Sequence, residues 1–212
     1  MKLTLYYAPI ACSLVPLITL NESGAPFDVH TVLLAKGQQK TPEYLKLNPK
    51  GKVPALAIDG EVLTENVAIL SWIAGQFPER HLLPTEPRAA AKALSMMAFC
   101  ASGIHPHLGR ANAPLRFCDH PGSEDATRRL AVDEVLKAFA VVNDQLAGQT
   151  WACGAQWSAV DAYLFWVWRR AGQLKIDLSA FPALNAHGAR MNERESVKKA
   201  LALEAETLAK AA

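Results

Sequence analysis

The sequence lacks the features that mark several large classes of protein. Lys and Arg total 22 and Asp and Glu total 20, so the net charge of +2 gives no reason to expect a nucleic acid or an anionic membrane as partner. No apolar run approaches the roughly 20 residues of a membrane span. The first residues show neither a basic segment nor a signal-peptide cleavage site, and residues 2–7 have the pattern of a strand. We therefore expect a cytoplasmic protein.

Closely spaced cysteines are also missing. No CxxC pair is present, so the sequence predicts neither a zinc site nor a dithiol redox motif, and we expect no metal. Without a secretion signal the thiols should be reduced. Cys100 lies in an apolar helical run and is predicted to be core. Cys118 and Cys153 lie near the ends of predicted elements and are expected to be inert, which leaves Cys12 as the thiol of interest.

Residues 48–77 carry the strongest local signals. Two short apolar runs, Ala55–Ile58 and residues 61–63, flank Asp59-Gly60, a pair that favours a tight hairpin turn. Beyond residue 63 the apolar residues recur at helical spacing, so a helix follows the hairpin directly. Thr64 is the predicted N-cap of that helix.

This hairpin and helix offer two candidate binding features. The unpaired N–H groups near Glu65 and Asn66, together with the helix dipole, suit a carboxylate or a phosphate. The Val53-Pro54 bond can be cis, in which case the N–H and C=O of Val53 would face outward and pair with an extended peptide. An ordinary hairpin and helix without a ligand explains the pattern equally well.

Cys12 is predicted to lie at a strand-to-helix turn. Residues 2–6 form the strand, residues 14–20 form the helix, and Ser13 is a plausible N-cap. The positive end of a helix lowers the pKa of a thiol and favours the reactive thiolate. A small residue packed under the turn is the alternative interpretation.

The order of elements predicts two domains. A second strand at 27–34 makes a parallel βαβ unit, and the hairpin and helix complete a βαβ-ββα domain over residues 1–80, a thioredoxin-like α/β arrangement with a four-stranded mixed sheet. Residues 81–87 form a proline-containing linker. Strand signals vanish from residue 88 to 212, which predicts an all-α domain, and a capping box places Asp161 at the third position of one of its helices.

Five short motifs occur in order along the chain. They are Tyr6-Tyr7-x-Pro9-x-x-Cys12-Ser13-Leu14, Asn48-Pro49-x-Gly51-x-Val53-Pro54, Leu63-Thr64-Glu65, Trp151-x-Cys153-Gly154 and Ser158-x-x-Asp161-Ala162-Tyr163-Leu164-Phe165. With the two-domain order, these motifs resemble those of the cytosolic glutathione transferases over essentially the whole chain. The bacterial beta class is the most similar class, because its marker is a cysteine at the first strand–helix turn.

The resemblance implies that glutathione is the co-substrate and assigns residues to it. Val53, with Pro54 cis, would pair with the cysteinyl backbone, while Glu65 and Asn66 would hold the γ-glutamyl end. The family usually has Ser, Thr or Gly where Asn66 stands, but an amide can still donate and accept hydrogen bonds. Lys52, and less surely Lys36, would meet the glycyl carboxylate.

The resemblance also assigns the surroundings of the glutathione thiol. Cys12 and Ser13 would lie beside it. Neighbouring strand residues face opposite sides, so only one of Tyr6 and Tyr7 can face the thiol, and the tyrosine-based classes of the family favour Tyr6. Cys12 is preferred to Tyr6 as the catalytic residue because the beta-class pattern is otherwise intact. His105 matches a histidine that lines the thiol pocket of the beta class. The alternatives for His105 are a role as a helix cap, or replacement in the pocket by His107.

Three functions are consistent with this sequence. The first is a homodimeric transferase that conjugates glutathione to small apolar electrophiles. The second is glutathione-dependent thiol transfer or reduction, in which Cys12 forms a mixed disulfide. The third is a non-catalytic binding module, because a fold does not determine a function.

Overall fold

The computed structural model describes residues 1–211, within which there are four strands and nine α-helices. The strands are β1 (Leu3–Tyr7), β2 (Asp28–Thr31), β3 (Ala55–Ile58) and β4 (Glu61–Thr64). The helices are α1 (Leu14–Ser23), α2 (Pro42–Leu47), α3 (Asn66–Gln76), α4 (Pro87–Phe99), α5 (His105–Asn112), α6 (Glu124–Leu146), α7 (Ala159–Gln173), α8 (Pro182–Asn192) and α9 (Glu195–Ala211). None of these nine helices is both long and apolar enough to cross a membrane.

The strands form one four-stranded mixed sheet, as predicted, and their order in it is β2-β1-β3-β4. β1 pairs with β2 in parallel, and the other two pairings are antiparallel. Asp59 and Gly60 both have positive φ, 48° and 99°, which the predicted hairpin turn requires. β2 is shorter than the predicted 27–34, and a 3₁₀ turn at Leu34–Lys36 follows it.

The chain divides into two compact units. The first comprises Met1–Leu83 together with the chain from Asn192 onward, and the second is Pro84–Met191. The predicted all-α domain includes the last helix, whereas in the structure α9 packs against α1 of the first unit. Glu22 Oε1, near the end of α1, lies 2.8 Å from Arg194 Nε, which precedes α9. The first unit is therefore assembled from both ends of the chain.

The second unit is helical and contains the predicted capping box. Ser158 is the N-cap of α7, and Asp161 at the third position closes the box. The helical run that contains Cys100 is divided into α4, a π-helical turn at Cys100–Ile104, and α5. Cys100 is fully buried, as expected of a core residue.

Candidate functional site

The peptide bond between Val53 and Pro54 is cis. The Cys12 thiol donates a hydrogen bond to the carbonyl oxygen of Val53 at 3.5 Å. Within residues 1–211, the main-chain N–H of Val53 has no hydrogen-bond partner. Of the two groups predicted to pair with an extended peptide, the donor is therefore unpaired and the acceptor is shared with a thiol.

The turn that leads to Val53 is fixed by buried hydrogen bonds. The Tyr44 hydroxyl and Asn48 Nδ2 both donate to the carbonyl oxygen of Lys52 at 2.7 Å. Asn48 is 1% exposed, whereas the Lys52 side chain is exposed. Lys36 is also exposed, at the end of its 3₁₀ turn. Both lysines can reach an anionic group from solvent.

The start of α3 differs from the prediction in its N-cap. β4 continues through Thr64, and the N-cap is Glu65, whose φ of 73° lies in the left-handed region. The Glu65 side chain makes no capping bond, so the first N–H groups of α3 remain available to an anion. Its Oε1 instead lies 2.7 Å from Lys50 Nζ, a contact that the sequence analysis did not predict.

Asn66 is buried and its side chain faces the β1–α1 turn. Its Nδ2 donates to the carbonyl oxygen of Cys12 at 3.2 Å. Its Oδ1 is buried and has no partner in the described part of the chain. Because Nδ2 bonds the Cys12 turn and Oδ1 is buried, the group of Asn66 that remains for a ligand from solvent is its main-chain N–H.

The expectation that the helix start lowers the pKa of Cys12 is wrong. Burial raises the pKa of this thiol to about 12, and the hydrogen bonds from its own backbone and from Asn66 offset only part of that effect. The cost of desolvating a thiolate exceeds the gain from these hydrogen bonds. Cys12 is 8% exposed and is a neutral thiol at pH 7.

Ser13 is fully buried and its hydroxyl is occupied. Its Oγ accepts from Ala8 N at 2.9 Å and donates to Ala8 O at 3.1 Å. It follows that Ser13 closes the β1–α1 turn, and it makes no side-chain cap of α1.

Tyr6 and Tyr7 lie on opposite faces of β1, as predicted. The centroid of the Tyr6 ring lies 5.0 Å from that of His30 and 6.0 Å from that of Tyr44. Tyr6 also packs on the buried cluster that includes Val53. Tyr7 is fully buried and its hydroxyl donates to Glu204 Oε2 at 3.3 Å. Tyr6 is therefore the tyrosine on the Val53 side.

Glu204, in α9, holds the loop that precedes Cys12. Its Oε2 accepts from the main-chain N–H of Ile10 at 2.6 Å, and its side chain is buried. Ile10 has a φ of 66°, which is unfavourable for a β-branched residue. Sequence reasoning missed Glu204 because no local pattern links it to a loop 194 residues away.

His105 lies in the second unit, at the first position of α5. Its Nδ1 is 3.4 Å from the Tyr163 hydroxyl, and its ring centroid is 4.4 Å from that of Trp166. The alternative, His107, lies 3.3 Å from Arg110 Nη1, and partial burial and that guanidinium lower its pKa.

Of the other cysteines, Cys118 differs from the expectation that it is inert. Hydrogen bonds from the Ser123 side chain and the main chain of His120 lower the pKa of its thiol, whereas burial raises the pKa of Cys153. Within residues 1–211, no group of three or more His, Cys, Asp and Glu side chains is placed to hold a metal ion.

Comparison with known protein families shows which family the chain belongs to. The profile described as "Glutathione S-transferase, N-terminal domain" matches residues 11–76, and that of "Glutathione S-transferase, C-terminal domain" matches residues 93–195. The chain belongs to the glutathione S-transferase family. This glutathione S-transferase is 37% identical over 203 residues to Glutathione S-transferase GstA of Escherichia coli O157:H7, across 94% of this chain and 98% of that protein.

Two solved structures extend the comparison. A sphingomonad glutathione S-transferase complexed with glutathione is 36% identical, with a TM-score of 0.85 over 97% of this chain and 99% of that one. The bacterial beta class enzyme of Sphingomonas chungbukensis is also 36% identical, with a TM-score of 0.83 over 96% and 98% of the two chains. The predicted family and the predicted fold class of this glutathione S-transferase are both confirmed.

Proposed function

We propose that this glutathione S-transferase binds glutathione around Cys12 and conjugates its thiolate to small apolar electrophiles. The observation that carries the proposal is the position of Cys12 between two features suited to an extended, anionic peptide. Its thiol contacts the Val53 carbonyl at 3.5 Å, and its main-chain carbonyl accepts from Asn66, at the start of α3, at 3.2 Å. A ligand that pairs with Val53 can therefore place a carboxylate on the first N–H groups of α3.

The proposed roles follow from charge and hydrogen-bonding capacity. The γ-glutamyl carboxylate binds the N–H groups at the start of α3, and the ammonium on the same carbon faces the carboxylate of Glu65. The exposed Lys52 ammonium, with Lys36 as a second candidate, meets the glycyl carboxylate. His105 remains a candidate for the lining of the thiol pocket, on the strength of the family resemblance.

Cys12 is assigned as a hydrogen-bond donor and not as the nucleophile. Two adjacent thiols share one negative charge, because like charges this close disfavour double ionisation. Since burial raises the pKa of Cys12 to about 12, that charge belongs to the glutathione sulfur. The glutathione thiolate then forms the new C–S bond, and the leaving group departs with the electron pair of the bond that breaks.

The test combines a glutathione titration with a conjugation assay on a model aryl halide. We expect the unchanged protein to bind glutathione and to conjugate it to the aryl halide. In Cys12→Ala we expect kcat/KM to fall by less than about tenfold, since one hydrogen bond is removed. Binding without conjugation would identify a binding module. A mixed disulfide on Cys12 after incubation with oxidised glutathione, together with thiol transfer that Cys12→Ala abolishes, would favour thiol transfer. An adduct on Cys118 would not, because that thiol is accessible and its pKa is lowered. Nearly complete loss of conjugation in Cys12→Ala would make Cys12 the principal catalytic residue for both reactions.

We also propose that the protein is a cytoplasmic homodimer. The resemblance to the cytosolic glutathione transferases supports both parts of this proposal. Sedimentation velocity at micromolar concentration is the check on the dimer, and a single species of the monomer mass, 23.0 kDa, would contradict it.

A further inference from the structure

Lys50 places an ammonium group on the carboxylate of Glu65. Its Nζ lies 2.7 Å from Glu65 Oε1 and donates to Thr64 Oγ1 at 2.9 Å. The backbone at Lys50 is held in place, because its N–H donates to Asn48 Oδ1 at 3.1 Å and Gly51 N donates to Asn48 O at 2.9 Å. A turn fixed by a buried asparagine thus carries the lysine to this carboxylate.

The γ-glutamyl end of glutathione carries the same chemical group as Lys50. Its carboxylate and its ammonium share one carbon, so a carboxylate on the α3 N–H groups brings the ammonium next to the N-cap residue. Like charges repel, so Glu65 can bind only the ammonium of that pair. Lys50 and the substrate therefore present equivalent cations to one carboxylate.

We propose that Lys50 occupies the ammonium subsite of Glu65 in the free protein and is exchanged for the α-ammonium when glutathione binds. The inference rests on the proposed glutathione site and adds a residue that sets the selectivity of that site. The exchange is easy because both side chains are well exposed, 51% for Lys50 and 66% for Glu65, and exposed pairs are weak. Lys50 therefore lowers the affinity of the site for glutathione. By neutralising Glu65, it also weakens the repulsion between Glu65 and anions that carry no ammonium.

Lys50→Gln separates this role from that of a direct ligand. We expect the variant to bind glutathione about two- to fivefold more tightly by isothermal titration at low salt. It should bind an analogue with a glutaryl group in place of the γ-glutamyl group, and hence no ammonium, no more tightly than the unchanged protein does. Lys46→Gln, which removes the same charge from the exposed end of α2, should alter neither affinity.

A double-mutant cycle completes the test. Glu65→Ala should weaken glutathione binding by about tenfold or more, since a charge-assisted hydrogen bond is lost. In that background Lys50→Gln should no longer tighten binding. Weaker glutathione binding by Lys50→Gln, or equal tightening of both ligands, would overturn the exchange. Absence of glutathione binding by the unchanged protein would instead overturn the proposed function.

Discussion

Replacing Asp161 by alanine is expected to lower the free energy of unfolding by about 4 kcal/mol or more. This fully buried carboxylate accepts from Ala152 N and Ser158 N at 2.7 Å, from Ser158 Oγ at 3.0 Å, and from His187 Nε2 at 2.8 Å. Each donor left unpaired in the interior costs about 1–3 kcal/mol, and here several are orphaned at once. The second unit loses the capping-box partner of Ser158 at the start of α7 and the hydrogen bond from α7 to His187 in α8.

Thermal and urea unfolding, followed by tryptophan fluorescence, measure this effect. A loss of that size corresponds to a fall in Tm of about 8–16 °C for a protein of this length. Asp133→Ala is the matched control, because Asp133 is exposed in α6 and pairs only weakly with Arg129, at 3.9 Å. A destabilisation by Asp161→Ala of less than about 1 kcal/mol would contradict the assigned role.

Glu204→Ala is expected to reduce both stability and activity. The substitution removes the acceptor that Glu204 Oε2 provides to the Ile10 N–H and the Tyr7 hydroxyl, which costs about 2–4 kcal/mol. The loop that leads to Cys12 then loses the contact that holds Ile10 at positive φ. Since small displacements of positioned groups are expensive in catalysis, we expect kcat/KM for aryl halide conjugation to fall about tenfold or more.

The experiment compares Glu204→Ala with Glu206→Ala. Glu206 lies in the same helix, is exposed, and bonds Lys210 at 2.6 Å, so its loss should change neither Tm nor kcat/KM appreciably. Measuring kcat/KM well below the Tm of the variant separates mispositioning from unfolding. Full activity in a folded Glu204→Ala protein would show that the Cys12 turn does not depend on α9.

Signals between residues that are close in the sequence predicted parts of both units. Asp59-Gly60 specified the hairpin because few residue pairs accept positive φ at both turn positions. The capping box at Ser158 was also recognisable, because its two partners are three residues apart. In both cases the interactions that decide the structure are close in sequence.

The properties that the sequence did not reveal depend on distant contacts. Burial raises the pKa of Cys12 by more than the hydrogen bonds to the thiol lower it, and burial depends on the folded structure around the turn. Asn66 was assigned as a ligand residue, yet its side chain bonds a carbonyl 54 residues away. Thr64 was the better N-cap by residue type, but its place in β4 moved the cap to Glu65.

The discontinuous first unit has a consequence for how the protein is made. A ribosome delivers the amino-terminal residues first, and domains generally fold as units during synthesis. All of Pro84–Met191 is synthesised before the residues that follow Asn192. The contacts of Ile10 with Glu204 and of Glu22 with Arg194 can form only after those last residues have emerged. The second unit can therefore fold first, and the Cys12 turn reaches its final conformation only at the end of translation. A nascent chain that stops before α9 carries every motif of the proposed glutathione site without the carboxylate that holds its central loop.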